Sequence, residues 1–263
     1  MTYYIFAPLA VILVGIAKAG FGGGVGIAAV PLFIIATGDS KASLGIMLPL
    51  LCACDMFAIY HYRKTFDRTN LMRIVPGAIA GIFVCGLFLG LVHEQKADYY
   101  LKIMIGVISI AFVIYEMIKI WVFKKLDAYK PKSWHGWFFG LSVGLTSTLA
   151  HAGGPPATMF LLPQHLGRKI FVGTTVFLFT IVNATKLIPY TYHGMINFES
   201  MKQSFYLLPL VPIGTYLGFW MNKHINEKIF NAVIYTILFL IGLKLTTGFE
   251  PISYIFNLLQ TNS

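Results

Sequence analysis

The sequence of residues 18 to 26 is Lys-Ala-Gly-Phe-Gly-Gly-Gly-Val-Gly, and that of residues 150 to 157 is Ala-His-Ala-Gly-Gly-Pro-Pro-Ala. Each stretch separates two short apolar segments, at 4–17 and 25–37 in the first case and at 134–150 and 152–162 in the second. A helix of about 14 residues covers about 20 Å, whereas a hydrocarbon core is about 30 Å thick. We therefore expect each pair of segments to form a broken helical hairpin whose helices meet near mid-membrane.

The rest of the chain is also apolar. Hydrophobic residues make up 57% of the 263 residues, charged residues only 11%, and the mean hydropathy is +0.74. A soluble chain would carry about a quarter charged residues. The sequence therefore predicts an all-α polytopic membrane protein of about eight to ten helices. Its six full-length spans are predicted at 43–60, 74–92, 99–122, 170–190, 205–221 and 229–245.

The two halves resemble each other at an offset of about 130 residues, which makes each half a broken hairpin followed by three spans. The prediction is one transmembrane domain over residues 1–263, with a first repeat at about 1–125, a loop at about 124–133 and a second repeat at about 134–250. The matches are Gly23-Gly24 with Gly153-Gly154, Lys41 and Gly45 with Lys169 and Gly173, Asp55 with Asn183, and Pro76-Gly77-x-x-x-Gly81 with Pro212-x-Gly214-x-x-x-Gly218.

The lysines and arginines predict the orientation of these repeats. Thirteen of the twenty fall in loops on one face if both hairpins return to their side of entry, and four fall on the other. The positive-inside rule makes the thirteen-residue face cytoplasmic and places both termini outside. The first half then enters its hairpin from outside and the second from inside. Inverted repeats with paired broken helices are characteristic of secondary transporters.

The breaks are candidate anion sites, because glycine lets backbone N–H groups approach a ligand and a restarting helix points its positive end at the gap. Lys18 adds a positive charge at the first break. In the second break, His151 occupies the position that corresponds to Phe21 in the first. Close helix packing is the alternative role for such glycines, and Gly-x-x-x-Gly pairs elsewhere in the chain are assigned to packing. The substrate-binding residues predicted here are Lys18, Gly22, Gly23, Gly24, His151, Gly153 and Gly154.

Ionisable side chains within apolar spans add to this site, because a charge in hydrocarbon has to face protein or water. Lys186 follows Asn183 by one helical turn, so both side chains could contact an anion; the alternative is that Lys186 extends to the outer surface. Asp55 is a candidate for proton or ion coupling, with a structural pairing to Lys18 as the alternative. His151 could also carry the coupling proton.

Other classes of protein fit the sequence poorly. The seven histidines and three cysteines form no metal-ligand spacing, and the glycines lack the strand and helix pattern of a nucleotide-binding fold. We therefore expect no cofactor, no metal and no enzymatic activity. The net charge of +10 is spread over short loops instead of one water-facing surface, so nucleic acid is not expected as a partner. The expected partners are a small anion and the lipid bilayer; a homo-oligomer is compatible with the sequence, which does not decide it.

The sequence resembles the sulfite exporter TauE/SafE family over nearly its whole length. The resemblance is carried by Gly20-Phe21-Gly22-Gly23-Gly24 before an apolar run to Pro31, and by His151-Ala152-Gly153-Gly154-Pro155-Pro156 after the long basic loop. It implies a multi-pass permease of the bacterial inner membrane that moves sulfite, organosulfonates or related carboxylate anions. An anion channel or another membrane permease is the alternative function. The sequence selects neither the anion nor the direction of transport.

Overall fold

A computed structural model describes residues 2–19, 25–92, 94–123, 131–224 and 227–248 of the chain. These residues contain helices and no strand, so the predicted all-α class is confirmed. Two short 3-10 turns complete the elements, at Val25–Ala28 before α2 and at Leu162–Gln164 after α7. The α-helices are α1 (Thr2–Ala19), α2 (Ala29–Thr37), α3 (Ser40–Tyr62), α4 (Arg68–Leu91), α5 (Glu94–Phe123), α6 (Ser133–Ala150), α7 (Gly154–Leu161), α8 (Arg168–Tyr192), α9 (Phe198–Leu207), α10 (Leu210–His224) and α11 (Glu227–Thr247).

Five helices in the described part of the chain are long and apolar enough to cross a membrane, and they confirm five of the six predicted spans. These stretches are Ser40–Tyr60, Arg68–Leu91, Lys96–Ile118, Lys169–Tyr192 and Phe230–Thr247. The prediction of one continuous span at 205–221 is wrong, because α9 ends at Leu207 and α10 begins at Leu210. Pro209 lies in this break. Its ring has no backbone N–H to continue the helical hydrogen bonds, although Leu208 before it keeps helical dihedral angles, with φ −54° and ψ −40°.

Both broken segments turn back to the end of the molecule at which they start. In the first, the ring centroid of Tyr3 at the start of α1 lies 6.5 Å from that of Phe33 near the end of α2. In the second, the Asn70 amide at the start of α4 donates to Gln164 just beyond α7 over 2.8 Å. The start of α6 lies at the same end of α4, because Gly136 packs against Arg73. The two hairpins therefore open toward opposite ends of the molecule.

Helices that correspond in the two halves pack against each other in opposite directions. Gly45 near the start of α3 lies against the backbone of Met195 beyond α8, and Gly173 near the start of α8 lies against the backbone of Thr65 beyond α3. The same holds for α5 and α11, where Gly106 contacts Thr246. Inverted repeats require this antiparallel arrangement. The boundaries of the repeats stay a prediction from the sequence.

Glycine pairs set the closest helix contacts, as the spacing of the glycines predicts. Gly77 and Gly81 of α4 meet the backbone of α6, and Gly140 and Gly144 of α6 meet the backbone of α4 in return. In the corresponding pair of helices, Gly214 of α10 meets the backbone of α1 at Ile12. No side chain separates the backbones at these points, which favours tight packing without a hydrophobic driving force.

The described helix ends that flank the basic loops lie at one end of the structure. The starts of α4 and α6 are adjacent through Arg73 and Gly136, and the start of α8 lies beside the loop after α3. The Tyr235 hydroxyl donates to Glu116 over 3.1 Å, which brings the start of α11 to the end of α5. The described helix ends that flank the predicted thirteen-residue basic face therefore lie together. The cytoplasmic orientation of this face stays a prediction.

Candidate functional site

Lys186 of α8 is the centre of a buried polar cluster. Its side chain is 0% exposed, and Asp55 is the other charged residue that is buried in the described part of the chain. The Lys186 Nζ lies 3.2 Å from the Ser147 carbonyl oxygen, 3.0 Å from Ser147 Oγ and 2.8 Å from His151 Nδ1. An ammonium has three N–H donors, and these contacts provide an acceptor for each of them. The alternative in which Lys186 extends to the outer surface is therefore wrong.

His151 lies directly after α6 in a left-handed backbone conformation, with φ 50° and ψ 27°. Its backbone N–H donates to the Ser147 carbonyl over 3.0 Å, which closes the last turn of α6. The ring turns Nδ1 toward Lys186 and places Nε2 3.3 Å from the Leu44 carbonyl of α3. A carbonyl oxygen only accepts hydrogen bonds, so Nε2 carries a proton. The histidine thus links the end of α6 to both α8 and α3.

One face of α8 caps the carbonyl end of α6. Asn183, Lys186 and Tyr190 lie on this face at a helical spacing of three and four residues. The Tyr190 hydroxyl donates to the Thr148 carbonyl over 2.6 Å, one residue beyond the carbonyl that binds Lys186. The carbonyl end of a helix is its negative end. A cation at Lys186 is therefore stabilised by α6 as well as by its three acceptors.

Asp55 and Asn183, which the sequence aligns across the two halves, are in direct contact. The Asn183 amide donates to the Asp55 carboxylate over 2.6 Å, and both side chains are buried. Asn183 lies one turn from Lys186 as expected, but its amide nitrogen is directed to Asp55. A single turn of α8 thus presents an amide to α3 and an amine to α6.

The second break holds Gly153 and Gly154 against this cluster. A Cβ on Gly153 would lie 3.1 Å from the Ser147 side chain and 2.9 Å from Phe179, so a larger residue would require these side chains to shift. α7 begins at Gly154 and continues with two prolines, which have no N–H. The backbone donors at the start of α7 therefore come from Gly153 and Gly154. The predicted residues of the second break are brought together with Lys186.

The first break falls largely outside the described residues. Lys18 belongs to the last turn of α1, while its side chain and Gly22, Gly23 and Gly24 are outside the described part. The chain resumes at Val25, as predicted, in a 3-10 turn that leads into α2.

Three participants in the cluster, Ser147, Thr148 and Tyr190, were missed by sequence reasoning. The run Thr146-Ser147-Thr148 just before the second break was an available signal, since three hydroxyl residues in an apolar helix need acceptors. Tyr190 is the last residue of the predicted span at 170–190. In the described part of the chain, no group of three His, Cys, Asp or Glu side chains could hold a metal ion.

Comparisons with known proteins give one positive result. No curated protein and no solved structure matches this chain. A model of the sulfite exporter TauE/SafE family matches residues 7–245, which covers nearly all of both hairpins and of the five long apolar helices. This is a family of membrane permeases for sulfur-containing anions and not of enzymes. The chain is therefore an integral membrane protein that belongs to the sulfite exporter TauE/SafE family.

Proposed function

We propose that the protein is a secondary transporter that carries small sulfur-containing or carboxylate anions, such as sulfite or organosulfonates, by alternating access. The observation that carries this proposal is the fully buried Lys186, whose amine contacts Ser147 and His151 beside the second break. Ionisable groups inside membrane spans are costly and mark substrate pathways. A buried amine beside a helix break favours a substrate with negative charge, because the two charges attract strongly where little water competes.

The surroundings of Lys186 also suit an anion. His151 can add a second N–H donor beside the amine, and the N–H groups of Gly153 and Gly154 lie at the start of α7 next to Ser147. Backbone donors at a helix start bind anions readily, and little water competes for them within a membrane. The carboxylate of Asp55 is held by the Asn183 amide. We propose that substrate binds between Lys186, His151 and the second break, with the first break completing the site.

Alternating access is supported by the antiparallel packing of α3 and α8. The polar cluster lies between two close contacts of these helices, Gly45 with Met195 toward one end and Gly173 with Thr65 toward the other. Lys186, Asp55 and Asn183 are all buried. A carrier needs contacts that open one at a time on either side of its site, whereas a channel needs a continuous path. The described conformation fits an occluded carrier better than an open channel.

The test is the uptake of radiolabelled sulfite, sulfoacetate and acetate into proteoliposomes by the wild type, Lys186→Ala and Gly23→Leu. We expect saturable uptake of at least one anion, lost in both variants. Lys244→Ala is the matched control, because Lys244 also lies in an apolar helix but outside the cluster. No uptake of any anion by the wild type would overturn the proposal.

We further propose that the protein lies in a bacterial inner membrane with its basic face in the cytoplasm and both termini outside. The thirteen basic residues of that face support this orientation. Single cysteines at positions 96 and 198 should then react with an impermeant reagent from outside, and one at position 130 should not. The background would lack Cys52, Cys54 and Cys85, which form no disulfide and could react themselves. The opposite labelling pattern would contradict the orientation.

A further inference from the structure

We infer that anion binding is coupled to the uptake of one proton by the pair formed by Lys186 and His151, so that a monoanion enters its site together with H⁺. This inference rests on the proposed function, because it assumes that the anion binds at this pair. It assigns the coupling ion and its carrier, and it selects His151 over Asp55 as the group that takes up the proton.

The geometry of the pair sets its charge when no anion is bound. Lys186 Nζ and His151 Nδ1 lie 2.8 Å apart, a hydrogen-bond distance that requires one proton between the two nitrogens. This proton can belong to an ammonium that faces a neutral imidazole, or to an imidazolium that faces a neutral amine. His151 Nε2 carries its own proton toward Leu44 in both arrangements. A neutral amine could also donate to Nδ1, but the Ser147 carbonyl and the negative end of α6 favour the charged form, so we take the empty pair to carry one positive charge that its two groups share.

A second proton on the empty pair would place an ammonium and an imidazolium in contact. Both nitrogens would then be donors and the hydrogen bond between them would be lost. Repulsion between like charges is strong in this buried, low-dielectric position. An anion that accepts from both nitrogens removes this repulsion. Binding of the anion and binding of the proton therefore favour each other by the same factor.

The proton and charge balance of the loaded site is simple. One proton passes from water to the pair, so that the Nδ1–H of His151 and an Nζ–H of Lys186 both donate to the anion. Ser147 keeps its two contacts with Lys186. The charge of the pair with a bound monoanion is then the same as that of the empty pair. Loading of a monoanion should thus be electroneutral, and a proton gradient should drive its accumulation.

Other titratable groups surround the pair. Tyr190 of α8 has its ring centroid 6.0 Å from that of His151, and its hydroxyl already donates to Thr148. Cys85 of α4 lies within electrostatic range of Lys186. Asp55 of α3 is held by Asn183, one turn away on α8. Asp55 is therefore the competing proton acceptor, and the experiment has to separate it from His151.

The experiment is isothermal titration calorimetry of the purified full-length protein with ethanesulfonate and with acetate, in buffers of different ionisation enthalpy. Neither probe titrates near neutral pH, so any proton taken up belongs to the protein. We expect about one proton per bound anion and an apparent Kd that rises about tenfold for each unit of increasing pH. His151→Asn should lose the proton uptake, and asparagine tolerates the left-handed conformation at this position. Asp55→Asn should keep it.

His165→Asn is the matched control, because His165 has the same backbone conformation, with φ 50°, at an exposed turn beyond α7. It should bind the probes and take up the proton as the wild type does.

Anion binding by the wild type without proton uptake would overturn the inference and leave the proposed function intact. Proton uptake that disappears in Asp55→Asn but persists in His151→Asn would overturn it in favour of Asp55. Binding of neither probe by the wild type would overturn both proposals. If His151→Asn binds neither probe, the number of protons taken up by the wild type and by Asp55→Asn still decides whether Asp55 takes up the proton.

Discussion

The helices α3 and α8 occupy corresponding places in the two halves, yet only α8 supplies a cation. Their glycines, Gly45 and Gly173, make equivalent contacts with the opposite half, and Asp55 and Asn183 meet directly. One turn further along, α8 carries Lys186 whereas the aligned position of α3 is Ala58. The comparison suggests that these two helices repeat the scaffold, while only one of them carries a charge that would bind substrate. The glycine contacts between α3 and α8 can be the same in both halves. A site for one small anion does not need a matching cation on each of these helices.

The second spans of the two halves differ in continuity. α4 runs unbroken through Pro76, whereas its counterpart is divided into α9 and α10 around Pro209. Pro76 aligns with Pro212, so Pro209 is the additional proline, and it follows the last turn of α9 directly. One extra proline thus distinguishes the divided span of the second half from the continuous α4 of the first.

The largest effect is expected where the two halves are equivalent. Gly173→Leu and Gly45→Leu would each drive a side chain into the backbone of the opposite half. Overpacking in a well-packed interior costs about 1–3 kcal/mol or more, and backbone atoms cannot move aside as side chains do. Both variants should give little folded protein in size-exclusion chromatography. Gly167→Leu, at a position with open space, is the control. If one interface variant folded normally and the other did not, the contacts of Gly45 and Gly173 would not be equivalent.

The next largest effect is expected at Lys186, where the two halves differ. Lys186→Ala should reduce anion uptake by at least about 30-fold, because removing one partner of a buried charged hydrogen bond costs about 2 kcal/mol or more. Ser147 and His151 would lose the donor that they share. The measurement is initial uptake rate in proteoliposomes with matched protein content. Uptake within threefold or so of the wild type, in a folded variant, would show that the cation is structural.

A smaller effect is expected at the contact between Asp55 and Asn183. Asn183→Asp should destabilise the protein, because it places a second carboxylate against that of Asp55. The double variant Asp55→Asn with Asn183→Asp exchanges the two side chains and restores a pair of one carboxylate and one amide. A double-mutant cycle on thermal unfolding should give a coupling of about 1–2 kcal/mol. Additive single effects would mean that this contact between the halves contributes nothing specific.

The smallest effect is expected at Pro209. Pro209→Ala should change stability by less than about 1 kcal/mol and uptake by less than about twofold, because the break is also held by turn hydrogen bonds such as that from Val211 to Leu208. Pro76→Ala in the continuous α4 is the matched control. A tenfold loss of uptake in Pro209→Ala alone would make this break a hinge that transport needs.

The predictable part of the fold followed from length and apolarity. Helices such as α3, α4 and α8 are long uninterrupted apolar runs, and the broken pairs were visible as glycine clusters between segments too short to span. The division of 205–221 was not predicted, because Pro209 sits in an apolar run and prolines within membrane helices are often tolerated, as Pro76 is here.

The site was predictable only in part. The residue types of the second break, with Lys186 and Asn183, indicated a polar centre, and the offset between the halves brought Asp55 to Asn183. The direction of each side chain could not be predicted. That Lys186 reaches back to the carbonyl end of α6, and that Ser147 and Tyr190 take part, depends on how α6 and α8 cross.

The central claim is that the protein is an anion carrier whose site includes Lys186. Counterflow tests it most directly: proteoliposomes loaded with unlabelled anion are diluted into a trace of the labelled anion, and the label inside is followed with time. The account predicts a transient accumulation of label above equilibrium in the wild type and in Lys244→Ala, and none in Lys186→Ala. Label that enters the wild type only to equilibrium, whatever the internal anion, would contradict a carrier and indicate a channel.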